Sequence, residues 1–329
     1  MNPRLSLAIE GGSVELPSDG RIAVFGARAD QDLSALPKDR VQVIQGYFPD
    51  HQAFEALGYS VGTAPEGRFA AALVFLSRAR SESRALLLRA QEVTNGGPVV
   101  IDGQKTDGVD SMLKDCKTHA GIVGPVYAKA HGKIFSVHGG DFSDWRAAVA
   151  PKTVDGFLTA PGVFSADGID KGSAALAAAL PDTLKGRVAD LGAGWGYLSA
   201  EILKRPDVTE CHLVEASHEA LDCARKNLTD ERARFHWEDA TTFQAEAPFD
   251  FVVTNPPFHT SRVADPSLGR AFIQSAARIL ASRGTLWLVA NRHLPYEAAL
   301  ADAFIEVEEI TGDPSFKIFR ASRPRRAKR

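Results

Sequence analysis

The chain has 329 residues, 44% of them apolar and 24% charged, with a formal net charge of -3. That length is about twice a common domain and that composition can bury real cores, so a largely disordered chain is excluded and two domains are expected. The near balance of charge excludes a uniformly basic nucleic-acid-binding domain.

The chain opens on MNPRLSLAIEGGSVELPSDG, which carries acids and lacks the sustained apolar core of a signal peptide. No stretch approaches the roughly 20 apolar residues of a membrane span. A soluble, cytoplasmic protein with no membrane contact is expected, and we expect it to be a monomer. Faint strand and helix patterns follow: RIAVFG at 21–26, VQVIQG at 41–46, ALVFLSRAR at 72–80, a helix from about 81 to 93, GGPVVIDGQK, a helix near 107–118, and KIFSVHGG from 133. Arg78, Arg80, Arg84 and Arg89 gather around the first of these helices. They read first as a solvated face, with phosphate contact as the alternative. Small and polar residues with one proline over 141–157 mark a boundary.

The second half has a sharper rhythm. GRVADLGAGWG (186–196) is a short apolar strand breaking into a glycine turn, and the helical register of YLSAEILKR follows. CHLVEAS (211–217), the helix HEALDCARKNL, a strand near ARFHWED, FDFVVTNPPF (249–258), the helix RAFIQSAARILASRG and the strand GTLWLVANR (284–292) come next. Strand and helix alternate, as in a doubly wound α/β fold with a largely parallel sheet. FIEVEEI and SFKIFRAS, charged on alternate residues, read as an antiparallel edge hairpin. ALVFLS, helix, NGGPVVIDG can be laid beside FDFVVTNPPF, helix, SRGTLWLVAN, and KIFSVHGG beside KIFRAS, so two copies of one unit are expected. Where the second copy has DLGAGWG and NPPF, the first has FGARAD and SRAR. The first copy therefore reads as having lost its ligand loop.

Charge divides along the same line. Residues 1–150 hold 16 basic against 17 acidic side chains and 151–319 hold 16 against 24, while RASRPRRAKR at the end holds six basic and none acidic. That tail is open to two readings, a phosphate contact or a frayed solvated end. Cys116, Cys211 and Cys223 form no CxxC or Cys/His cluster, so neither a disulfide framework nor a metal site is expected.

Four places in the second half carry chemistry. Gly192, Gly194 and Gly196 let a ligand approach the backbone, with Asp190 just before them; the sixth position of the loop is Tyr197, which departs from the dinucleotide pattern GxGxxG. Glu215 stands at the end of the next strand, where a carboxylate can reach ribose hydroxyls. Asp239 either accepts from an adenine amino group or caps the segment beginning Ala240-Thr241. Asn255-Pro256-Pro257-Phe258 is the most specific signal: a rigid corner with exposed carbonyls, an amide acceptor for a planar NH2 group, and a ring for stacking.

With these residues the chain resembles the class I S-adenosylmethionine-dependent methyltransferases, whose enzymes acting on planar amines carry an (N/D)PP(F/Y) tetrad. More narrowly, FLTAPGVFSADGIDKGS, DLGAGWGYLS, TNPPFH, VANRHLPY and FKIFRA resemble the RsmC-like bacterial ribosomal RNA guanine-N2 methyltransferases. The resemblance implies two tandem Rossmann-like methyltransferase domains, a degenerate one over 1–150 that positions RNA or lends stability, and a catalytic one over 151–329. It implies S-adenosyl-L-methionine as cofactor, with Asp190, Gly192, Ala193 and Gly194 at its methionine part, Glu215 at its ribose, Asp239 and Ala240 at its adenine, and Asn255 in reach. It implies that Asn255, Pro256, Pro257 and Phe258 grip a guanine of 16S ribosomal RNA in the small subunit or an assembly intermediate. The resemblance implies that the PGVFS and DGIDKGS stretch covers the cofactor and helps form the substrate mouth, with Phe164 a mouth or packing residue; His259 is a proton handler or a loop histidine, and Trp195 is given no role. Alternatives are another planar amine, namely guanine N2 of 23S rRNA, adenine N6 or a protein glutamine, and a nonenzymatic RNA-binding factor.

Overall fold

The computed structural model describes residues 4–257 and 266–325. The chain divides into two compact units, Met1–Pro151 with Ala160–Gly162, and Lys152–Thr159 with Val163–Arg329.

In the first unit, helix α1 (Arg4–Glu10) precedes β1 (Ile22–Phe25), β2 (Val41–Ile44), α2 (Phe48–Ala56), β3 (Ser60–Gly62), β4 (Ala71–Phe75), α3 (Arg80–Thr94) and β5 (Pro98–Gln104). These five strands are parallel. Then come α4 (Val109–His119), β6 (Ala120–Val123), β7 (Tyr127–Lys129), β8 (Gly132–Gly140) and α5 (Trp145–Val149), with β8 antiparallel to β5 and β6 antiparallel to β8. The sheet order is β3-β2-β1-β4-β5-β8-β6. β1 and β4 are buried at every position because both sheet faces are covered: Phe25 and Val74 pack on one side, Val24 and Leu73 on the other. This is why they read as unbroken apolar runs. Arg4 Nε donates to Asp102 Oδ1 at 2.9 Å, a buried ion pair that ties α1 to β5.

The second unit opens on an antiparallel hairpin, β9 (Lys152–Val154) and β10 (Phe157–Thr159). It continues through α6 (Lys171–Ala179), β11 (Gly186–Leu191), α7 (Tyr197–Leu203), β12 (Val208–Glu215), α8 (His218–Asn227), β13 (Ala233–Trp237) and β14 (Phe249–Thr254). α9 (Pro266–Ile279), β15 (Leu280–Asn291), α10 (Glu297–Ala303), β16 (Phe304–Gly312) and β17 (Phe316–Pro324) complete it. The order is β13-β12-β11-β14-β15-β17-β16, parallel through β15 and antiparallel at β17 and β16. It is the same path as in the first sheet, with β8 and β17, the KIFSVHGG and FKIFRAS segments, in the same place beside the fifth strand. Alternate residues divide between two cores. Val188, Leu213 and Val253 pack under α6, α7 and α8, whereas Ala189, Val214 and Val252 pack under α9 and α10. Because β11, β12, β13 and β14 run parallel in register, their carboxyl ends come to one rim.

Some elements differ from the sequence expectation. The helix expected to run through 284 stops at Ile279, because Leu280 already pairs with Phe249 as the first residue of β15. β3, β7, β9 and β10 have three residues each, too few for an alternating pattern to declare itself. The three cysteines are buried core residues, and burial pushes the thiols of Cys116 up to about 12 and Cys223 up to about 11. Among the described residues no helix is long and apolar enough to cross a membrane, and no group of His, Cys, Asp and Glu is arranged to hold a metal ion.

Candidate active site

The glycine turn leaves β11 with Gly192 at φ +74° and Gly194 at φ +56°, left-handed conformations that a side chain resists. The N-H of Gly192 donates to Val214 O at 2.8 Å, stitching the turn to β12. A Cβ on Gly194 would meet nothing within 4 Å, so this part of the backbone faces open space. Gly196 serves packing instead: a Cβ there would stand 3.0 Å from Leu228 Cδ1 and 3.3 Å from Ala224 Cβ.

Glu215 joins the turn to the next element. Its Oε2 accepts from Gly194 N and its Oε1 from Ser217 N, both at 2.8 Å, while Ser217 caps α8 by accepting from Ala220 N. Burial raises the Glu215 carboxyl against the pull of those N-H donors. Asp190 is fully buried beneath the turn. Ser199 Oγ donates to its Oδ2 at 2.7 Å, and Oδ1 has no partner. Burial first, with the nearby Glu215 charge adding to it, pushes the Asp190 carboxyl up to about 7. Asp239 caps its own turn: Oδ1 accepts from Thr241 N at 2.8 Å and from Thr241 Oγ1 at 2.7 Å. Ala240 is buried and its carbonyl accepts from Ser275 Oγ.

At the end of β14, Thr254 Oγ1 donates to Leu191 O at 2.7 Å and locks the strand end to the start of the glycine turn. Asn255 follows. Its Nδ2 donates to Asp170 Oδ2 and to Ser173 Oγ, both at 2.9 Å. The amide nitrogen is thereby consumed on α6, and Oδ1, which no donor among the described residues reaches, is left as a free acceptor. Pro256 is buried and Pro257 exposed. Phe258 and His259 lie outside the described residues, as do residues 326–329 of the basic tail.

Asn255, Asp170, Ser173, Gly192, Ala193 and Gly194 share the wall of one cavity, with Phe164 also on its wall and 57% exposed. The enclosed part is about 40 Å³, well under what a nucleoside needs, and it gives onto the open space beside Gly194. Asp190, Glu215, Asp239 and Ala240 do not line it; Glu215 reaches it only through the Gly194 N-H. A larger groove, about 800 Å³, holds Arg320 and Arg323, but these are ion-paired to Glu308 and Glu306. Arg283 also lines it, but the groove lies away from the strand ends that carry the glycine turn and Asn255, so the smaller cavity is the better candidate.

Two residues matter that sequence reasoning missed. Trp195 is buried, and its Nε1 donates to Phe164 O at 2.9 Å, holding the 164–165 segment against the glycine turn. Asn227 accepts from Leu158 N at 2.7 Å and donates to Leu158 O and Trp195 O, clamping β10 to the same turn. Their partners are 31 to 69 residues away in sequence, so no local pattern announces them.

The matching rim of the first unit is closed. A Cβ on Gly26 would stand 2.6 Å from Phe75 O. Gln45, in the position that Glu215 holds after the second strand, accepts from Tyr47 N at 2.7 Å and donates to Ala27 O. Where the carboxylate draws a loop N-H toward itself, this amide is spent on a loop carbonyl. Arg80 and Arg84 share Asp115 at 2.7 and 2.8 Å, Arg84 lies over the Trp145 ring, and Arg89 lies over Phe25. Three of the four arginines are therefore engaged within the unit, leaving Arg78 exposed.

An S-adenosylmethionine-type ligand is compatible with this chemistry: Gly194 has open space where a Cβ would stand and shares a cavity wall with Asn255, while Asp190, buried beneath the same turn, keeps one oxygen without a partner. The sequence model of the methyltransferase small domain matches residues 155–320. The ribosomal RNA small subunit methyltransferase C of Shewanella loihica is 31% identical over 263 residues, 76% of each chain. That of Psychromonas ingrahamii is 28% identical over 302 residues, 88% of this chain and 83% of its own. The ribosomal RNA large subunit methyltransferase G of Ectopseudomonas mendocina is 37% identical over 166 residues, 49% of this chain and 44% of its own. Among solved structures, the T. thermophilus 16S rRNA N2 methyltransferase, in complex with AdoMet and guanosine, superposes with a TM-score of 0.81 at 23% identity, covering 98% of this chain and 92% of that one. The fold is thus the class I methyltransferase fold, with the same strand order present twice. The chain belongs to the ribosomal RNA small subunit methyltransferase C family.

Proposed function

We propose that this protein transfers a methyl group from S-adenosyl-L-methionine to the exocyclic N2 of a guanine in 16S ribosomal RNA. The observation that carries the reading is the Asn255 amide, whose nitrogen is bound to Asp170 and Ser173 while the residue lines the same cavity as the glycine turn. The family membership supports the substrate class.

When bound, the cofactor supplies a methyl group activated by a sulfonium. Gly192, Ala193 and Gly194 with Asp190 bound its methionine part, Glu215 its ribose, and Asp239 with Ala240 its adenine. Asn255 Oδ1 and the Pro256 carbonyl accept the two N2 hydrogens of guanine. Guanine N2 is a poor nucleophile because its lone pair is delocalised into the ring. Two acceptors would orient the amine and offset the positive charge that develops on nitrogen as the N-C bond forms and the S-CH3 bond breaks, its electron pair leaving with the sulfur of S-adenosylhomocysteine. The proton becomes acidic only as the methyl transfers, so no strong base is needed beforehand. The target guanine must stand outside a stacked helix to enter such a site. In this reading residues 151–329 do the chemistry, residues 1–150 position the RNA or lend stability, and the substrate is the small subunit or an assembly intermediate in the cytoplasm.

The test is transfer of labelled methyl to small subunits from cells lacking the modification, with the product nucleoside identified. N2-methylguanosine in 16S rRNA is expected; no transfer to any RNA overturns the reading. A second reading, guanine N2 of 23S rRNA, draws on the 37% identity of the second unit to a large-subunit enzyme, and label in that RNA would favour it.

A further inference from the structure

We infer that Asp170 and Ser173 are positioning residues that decide which way round the Asn255 amide stands. The inference rests on the reading of Asn255 as acceptor for the substrate amine. The two ends of an asparagine amide have nearly the same shape, so packing alone does not choose between them; the chemistry of the neighbours does. Asp170 Oδ2 and Ser173 Oγ both lie 2.9 Å from the Asn255 nitrogen. A carboxylate accepts and does not donate, so the reversed amide would set oxygen against oxygen. It would also turn two N-H donors toward the substrate's own N-H donors.

The lock is itself held. Asp170 is the N-cap of α6, and the oxygen that receives Asn255 also accepts from Ser173 N at 2.8 Å. Ser173 belongs to the first turn of α6 and is buried. The cap and the lock are one arrangement, which gives the DKGS sequence a role in the site although it stands 82 to 85 residues before Asn255.

The experiment uses the full chain and four variants: Asp170→Asn, the double variant Asp170→Ser with Ser173→Ala, Asn255→Ala, and the triple combination. Serine at 170 still caps a helix but is too short to hold Asn255, whereas asparagine at 170 offers one oxygen that can serve both bonds. In the first measurement, NMR of the side-chain amides of 15N-asparagine-labelled protein, slow exchange of the Asn255 NH2 is expected in the wild type and in Asp170→Asn, and fast exchange in the double variant. In the second, methyl transfer, the double variant is expected to lose about 10- to 100-fold in kcat with its cofactor affinity and Tm nearly kept. In the Asn255→Ala background the same two changes should cost nothing further. An Asn255 amide equally protected in the double variant overturns the inference, as does an additive loss in the triple variant. A wild type that transfers nothing to RNA overturns the proposed function instead, and the exchange measurement still decides the lock.

Discussion

Asp190 is a carboxylic acid sealed under a glycine turn, with one oxygen bound to Ser199 and the other to nothing. Its folded value near 7 lies above the ordinary value of 3.8, so the folded state holds the proton more tightly than the unfolded chain does. The sign follows by linkage: this group costs no stability below about pH 4, and stability is lost as pH rises through 7. Asp190→Asn keeps an acceptor for Ser199 and removes the charge. Thermal melts of the ligand-free protein should show the variant melting a few degrees above wild type at pH 8, with a gap clearly smaller at pH 5. A gap independent of pH would contradict this account of Asp190. At this scale Gly192, Gly194, Glu215 and Asn255 could be singled out in the sequence because each sits at a strand end inside a short motif, and the structure brings Gly192, Gly194 and Asn255 to one cavity wall. Asp170 and Ser173 entered the sequence reading only as part of the DGIDKGS stretch, and the roles of Trp195 and Asn227 were illegible, since each acts through a bond to residues 31 to 85 positions away.

The glycine turn does two jobs that separate along its own length. Gly194 faces open space and Gly196 faces α8, though both have positive φ. Gly194→Ala should therefore cost roughly 1 kcal/mol of stability through backbone strain. Its larger effect should be on the ligand, with calorimetry showing cofactor affinity down by more than about tenfold as the methyl fills the cradle. Gly196→Ala should reverse that ratio. Its Cβ must displace Leu228 and Ala224, costing about 1 to 3 kcal/mol beyond the strain, so loss of Tm should dominate. Equal effects of the two substitutions on affinity would contradict this division. The parallel strands were readable because both faces of the sheet are covered, so each carries a short run of apolar residues such as those of IAVF, AALVF and FDFVVT. The β9 and β10 hairpin was not, because its three-residue strands are too short to show a pattern and Asn227 holds it from a distant helix.

Across the whole molecule one strand order occurs twice, and the two copies differ at the first strand end. In the first, the Phe75 carbonyl stands close to where a Cβ on Gly26 would go and Gln45 bonds the loop carbonyl of Ala27, which supports the reading of the first copy as degenerate. Titration with S-adenosylmethionine should give a stoichiometry near one per chain, and two equivalents would contradict the degenerate reading of the first copy. The repeat itself was visible in sequence at the fourth, fifth and seventh strands, whereas the closure of the first rim is a matter of side-chain contacts that no alignment of apolar runs conveys. The near-balanced charge excludes indiscriminate polyanion binding and leaves room for a folded RNA partner. The measurement that tests the central claim most directly is modification mapping of 16S ribosomal RNA from cells lacking this gene, complemented with wild type or with Asn255→Ala. The account predicts one guanine N2 methyl group absent without the gene, restored by wild type and not restored by the variant. An unchanged 16S map, or a methyl group missing from 23S rRNA instead, would contradict it.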